Sequence, residues 1–108
     1  MYLEQFITKY CGRKVDFDGV YGAQCVDLFR QYCREVLAIP HTGGVDGAKD
    51  LYEKYGDLPL EKKYFTRLSK NATPQYGMVA VWGATPTNKY GHVAIVLDKL
   101  DASTLLVF

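Results

Sequence analysis

The sequence predicts an α+β domain: N-terminal helices packed on a C-terminal antiparallel β-sheet. In the first half, apolar residues recur at the three-and-four spacing of a helix. In the second half they come as short runs parted by turn residues. A chain of 108 residues, 48% of them hydrophobic, supports one modest core and leaves little room for a second.

Residues 2–11 place Leu3, Phe6, Ile7 and Tyr10 on one helical face, and Gly12 ends that pattern. Residues 13–22 have no period and hold two Asp and two Gly, so they read as a loop. Over residues 24–39 the set Cys25, Leu28, Phe29, Tyr32, Cys33, Val36 and Leu37 defines a central helix that Pro40 stops. A loop with adjacent glycines follows, then a short helix over 48–55 closed by Gly56. The charged stretch 57–63, with Pro59, reads as irregular. Strands are predicted at 64–68, where apolar and polar residues alternate, and at the apolar runs 78–82, 92–97 and 104–108. The last run reaches the final residue with no closing turn, so the sheet is expected to be cut short there.

Composition narrows the function classes. A net charge of +1 gives no reason to expect nucleic acid as a partner, and no apolar stretch approaches a membrane span. No charged-then-apolar leader opens the sequence, so it is expected to carry no secretion address of its own. The chain is expected to be a monomer. Three cysteines cannot form a complete disulfide framework. Cys11 and Cys33 read as small buried hydrophobes, although a bridge between them stays open. Nine tyrosines suit a groove lined with amphipathic rings, though most such rings sit half-buried at a core edge. Trp82, the single tryptophan, is a candidate for the border of the substrate groove, but inside an apolar run it reads first as core.

The chemistry gathers at Cys25. It follows the loop segment Tyr21-Gly22-Ala23-Gln24 and opens the central helix. There the positive end of the helix dipole favours a thiolate, and the cysteine's own backbone N–H, unpaired in the first turn, is an oxyanion donor. Gln24 or Tyr21 is a candidate second donor. The base needs a histidine brought close by the fold. His41 lies in a loop past Pro40, whereas His92 enters a strand, which makes His92 the better candidate. Neither histidine has a ligand neighbour at zinc spacing.

Three segments occur in order: Gly22-Ala23-Gln24-Cys25-Val26-Asp27-Leu28, then Gly77-Met78-Val79-Ala80-Val81-Trp82-Gly83, then Gly91-His92-Val93-Ala94-Ile95-Val96. Together they closely resemble the CHAP family, the cysteine- and histidine-dependent amidohydrolases/peptidases of phage endolysins and bacterial cell-wall hydrolases. The resemblance implies a papain-like fold in one catalytic domain over residues 1–108. It implies that bacterial peptidoglycan is the partner and that an amide bond of the wall peptide is cut, with Cys25 as nucleophile and His92 as base. It also fits a phage enzyme that collects in the host cytoplasm before reaching the wall. Which bond is cut stays open between an amidase and an endopeptidase.

One departure stands out. Family members orient the histidine with a Glu, Asp or Asn on the following strand, a place that falls just beyond Phe108. Asp98 and Asp101 are the only acids after His92 and read as solvent-facing residues near a turn. The chain is therefore expected to be truncated before its third catalytic residue, to bind wall peptide and to turn over poorly. The alternative function is a non-catalytic, calcium-stabilised wall-binding module; a thiol transferase on the same fold is a weaker reading.

Calcium enters through the loop. Asp16, Asp18, Val20, Gly22 and Asp27 fall at relative positions one, three, five, seven and twelve, the ligand positions of an EF-hand. Tyr21 stands where such loops carry glycine, and a metal-free Asx turn would use similar residues. Some CHAP lysins hold a calcium ion in the corresponding loop, which implies a structural calcium here.

Overall fold

The structure, a computed structural model, describes residues 1–11, 25–40, 45, 47–101 and 104–108. The chain begins with helix α1, Leu3–Tyr10, and continues with helix α2, Cys25–Tyr32. A π-helical extension, Cys33–Leu37, prolongs α2. Ala38 ends it in the left-handed conformation at φ 53°, its N–H bonded to the Cys33 carbonyl, so the helix stops before Pro40. Next come the short helix α3, Asp50–Glu53, a 3₁₀ turn at Tyr55–Asp57 and helix α4, Pro59–Tyr64.

Strands β1 (Val79–Trp82), β2 (His92–Asp101) and β3 (Thr104–Val107) form an antiparallel sheet in the order β1-β2-β3. Helices first and an antiparallel sheet last is the predicted α+β, papain-like class. The β1–β2 register pairs Val79 with Ile95, Val81 with Val93 and Trp82 with His92. Between β2 and β3 the register shifts between Val96 and Asp98, and again between Lys99 and Asp101. Among the described residues, no helix is long and apolar enough to cross a membrane.

Strand β2 is the spine of the core. Val93, Ala94, Ile95 and Val96 are all buried, so both of its faces are covered along this stretch. Val93 joins a cluster with Val26, Phe29, Cys33, Ala48 and Leu51. Ile95 joins a second cluster with Leu3, Phe6 and Tyr32. The two clusters attach α2 to β2 at successive positions of one strand face. Phe6, with no exposed surface, lies with its ring centroid 4.8 Å from that of Tyr10, 5.9 Å from Tyr32 and 6.1 Å from Phe108. The Tyr32 hydroxyl donates to the Gly77 carbonyl at 2.8 Å, tying α2 to the turn that leads into β1.

Three expectations are corrected. Residues 64–68 do not form a strand: α4 runs through Tyr64, and the extended segment after it spends its carbonyls on side chains. The Tyr55 hydroxyl donates to the Phe65 carbonyl, and the Tyr52 hydroxyl donates to the Leu68 carbonyl at 2.7 Å. Residues 59–63 of the stretch read as irregular are helical, because Pro59 occupies the first helical position, where its missing N–H costs nothing and its fixed φ suits the helix. Cys11 is exposed, whereas Cys33 is buried as expected, and all three cysteines are free thiols.

Candidate active site

Cys25 is the first residue of α2 and is half-buried, packed against the cluster that holds Val26, Phe29 and Val93. The position is physically favourable for a nucleophile. The first N–H groups of a helix have no intrahelical acceptor, and the dipole's positive end lies there. Cys33, further along the helix, is chemically different. Burial pushes its thiol up to about 12, and the Glu61 carboxylate adds to the effect, so it stays protonated and inert.

His92 is the first residue of β2. It is exposed, although the four residues after it are buried. Its place is set by the chain before it. Gly91 has φ +74°, and a methyl group built there would stand 2.3 Å from the Trp82 carbonyl oxygen and 2.9 Å from Lys49 Cβ. Asn88 Nδ2 donates to the Gly91 carbonyl at 2.7 Å, and Asn88 Oδ1 accepts from the Tyr90 N–H at 3.1 Å. The Lys49 N–H donates to the Tyr90 carbonyl at 3.0 Å. His92 therefore emerges from a stretch fixed both by its own turn and by the start of α3.

Trp82 pairs with His92 across the β1–β2 ladder, ring centroids 5.6 Å apart and planes tilted by 34°. At 39% relative exposure it is not a core residue, which corrects the sequence expectation. Sequence periodicity could not find this, because Trp82 continues an apolar run; its exposure follows from its register with His92 at the strand end. Trp82 also lines a groove of about 790 Å³ shared with Tyr52, Tyr55, Arg67, Met78 and Val81. The Arg67 guanidinium there lies 5.4 Å from the Tyr52 ring centroid and 5.3 Å from that of Tyr55. Asn88 and Lys49 were likewise missed; the one signal was the Asn-Lys-Tyr-Gly turn ahead of His92.

The remaining candidates are placed as follows. Cys25 and His92 each open one of two elements that pack together, α2 and β2. Asp27 is buried, its Oδ1 3.3 Å from Arg30 Nη1. Asp16, Asp18, Val20 and Gly22 lie outside the described residues, as do Tyr21, Gln24 and His41. Asp98 is exposed on β2, as expected.

The CHAP domain family model matches residues 14–107, so the chain belongs to the CHAP domain family. Endolysin PlyTW of Staphylococcus phage Twort is 34% identical over 97 residues, covering 88% of this chain and 20% of that protein. The D-alanyl-L-alanine endopeptidase of Streptococcus phage B30 is 31% identical over 98 residues, covering 85% of this chain and 20% of that protein. The chain thus spans about a fifth of the length of these curated relatives. No solved structure matches.

Proposed function

We propose that this chain is a peptidoglycan hydrolase domain of the phage-endolysin type, cutting an amide of the wall peptide with Cys25 as nucleophile and His92 as base. The observation that supports the proposal is the position of each residue at the start of its own element. Cys25 opens α2 and His92 opens β2, two elements that pack on one another. The family membership and the two phage wall enzymes among its relatives support the same assignment.

In the proposed reaction His92 takes the proton of Cys25, and the thiolate attacks the carbonyl carbon of the wall peptide. The Cys25 backbone N–H holds the developing oxyanion. His92 then protonates the leaving amine as the C–N bond breaks, leaving a thioester on Cys25. Water, deprotonated by His92, hydrolyses the thioester and restores the thiol. The groove that Trp82 helps to line would hold the peptide, with rings at Tyr52 and Tyr55 for its apolar parts. The relative named as a D-alanyl-L-alanine endopeptidase favours a peptide bond between amino acids as the one cut.

A calcium ion held by Asp16, Asp18, Asp27 and the carbonyls of Val20 and Gly22 is part of the proposal. Carboxylate and carbonyl oxygens are the donors such a hard cation takes. Asp27 is of the donor type that set needs, a carboxylate, and it is buried beside Arg30 at the start of α2. The ion would brace the loop ahead of Cys25.

Iodoacetamide tests the central assignment. Peptide mass spectrometry is expected to find Cys25 alkylated ahead of exposed Cys11, with Cys33 unlabelled, and wall-solubilising activity lost in step. Cys25→Ala is expected to lower activity on the order of 10⁴-fold. Activity that survives complete alkylation of Cys25 would refute the thiol mechanism.

A further inference from the structure

We infer that Trp82 is a positioning residue for His92, acting through the imidazole ring rather than on the substrate's reacting atoms. This rests on the assignment of His92 as base. The starting observation is an apparent waste: a large aromatic, the chain's single tryptophan, left 39% exposed at the end of a strand. An indole so placed forgoes part of the burial that makes tryptophan valuable in a core. What it gains is the cross-strand contact with His92, centroid to centroid 5.6 Å at a 34° tilt.

The geometry restrains the base where the backbone alone does not. His92 is exposed, and an exposed imidazole samples several rotamers. The asparagine turn, Gly91 and the Lys49–Tyr90 bond fix its backbone, but none of them touches its ring. Trp82 does. A cross-strand ring pair removes rotamers that would swing the imidazole away from the ladder, and an indole face also attracts the imidazolium formed during turnover. Both effects serve a base that must accept and return a proton from one location. The Trp82 carbonyl, close against Gly91, couples the backbone of the two strand ends as well.

Because the tryptophan is unique, its emission reports on this contact without any turnover. Protonation of a stacked histidine quenches indole fluorescence. A drop in emission is expected on acidification. The drop should persist in His41→Gln, the other histidine, and vanish in His92→Gln. A drop of equal size in His92→Gln would overturn the contact. On purified cell wall, Trp82→Phe is expected to keep kcat within about threefold, and Trp82→Ala to lose it about tenfold. Unchanged kcat in Trp82→Ala would overturn the positioning role. If the wild-type chain fails to cleave wall at all, the hydrolase proposal falls, and the emission titration still decides whether Trp82 holds His92.

Discussion

Replacing Gly91 with alanine tests how His92 is held. At φ +74° an L-residue meets the left-handed penalty, about 1–2 kcal/mol. The new Cβ would also lie 2.3 Å from the Trp82 carbonyl oxygen and 3.2 Å from the Lys49 nitrogen, both backbone atoms that cannot rotate aside. Relieving that overlap means parting β1 from β2 at their ends or lifting α3, and overpacking of this kind costs roughly 1–3 kcal/mol. The sum is about 2–5 kcal/mol, a fall in Tm of about 10 °C or more for a domain of this size. Thermal unfolding followed by far-UV circular dichroism reads the shift. Gly83→Ala is the control, since nothing lies within 4 Å of a Cβ built there and its φ is not positive. Equal melting temperatures for the two variants would refute the account of why glycine precedes His92.

Ala38→Gly should stabilise the chain by up to about 1 kcal/mol, because Ala38 sits at φ 53° at the end of the π-helical segment; urea denaturation checks it. Glu35 accepts from Lys9 Nζ at 2.6 Å, Gln31 Nε2 at 2.7 Å and the Tyr10 hydroxyl. Burial pushes its carboxyl up, but the three hydrogen bonds outweigh this and hold it below the ordinary carboxylate range. The folded-state value being the lower one, its stabilisation is present above the unfolded-state value and is lost as pH falls through the folded-state value. Glu35→Gln is therefore expected to cost about 1 kcal/mol at pH 7 and progressively less in acid, read from urea midpoints across pH. A chelator is expected to lower Tm and wall-cleaving activity, with added calcium restoring both; no thermal shift in either direction would leave only a metal-free turn.

The broad layout was legible in the sequence because it depends on periodicity. The spacing of Leu3, Phe6 and Tyr10, then of Phe29, Tyr32 and Cys33, sets faces that the structure buries with few exceptions. Cys25 and His92 could be named because each sits at a boundary between a turn-rich stretch and a patterned one. Where the reading failed, the deciding partner was distant in sequence. The alternation at 64–68 suggested a strand, but the hydroxyls of Tyr52 and Tyr55 claim that backbone. Pro59 was read as a breaker, although the same ring starts a helix when it comes first. Trp82 looked internal because its neighbours are apolar; only its pairing with His92 places it at the surface.

The tie between Tyr90 and the start of α3 separates two jobs within one hairpin. The Thr85–Asn88 tip closes on itself through reciprocal backbone bonds of 2.8 and 3.1 Å and lies exposed, while Tyr90 and Gly91 are gripped from the helical layer. Changes at the tip therefore need not reach the imidazole. Evolution or an engineer has a stretch here that can be lengthened, recoded or grafted, with the anchoring asparagine kept and the His92 end of the strand left undisturbed.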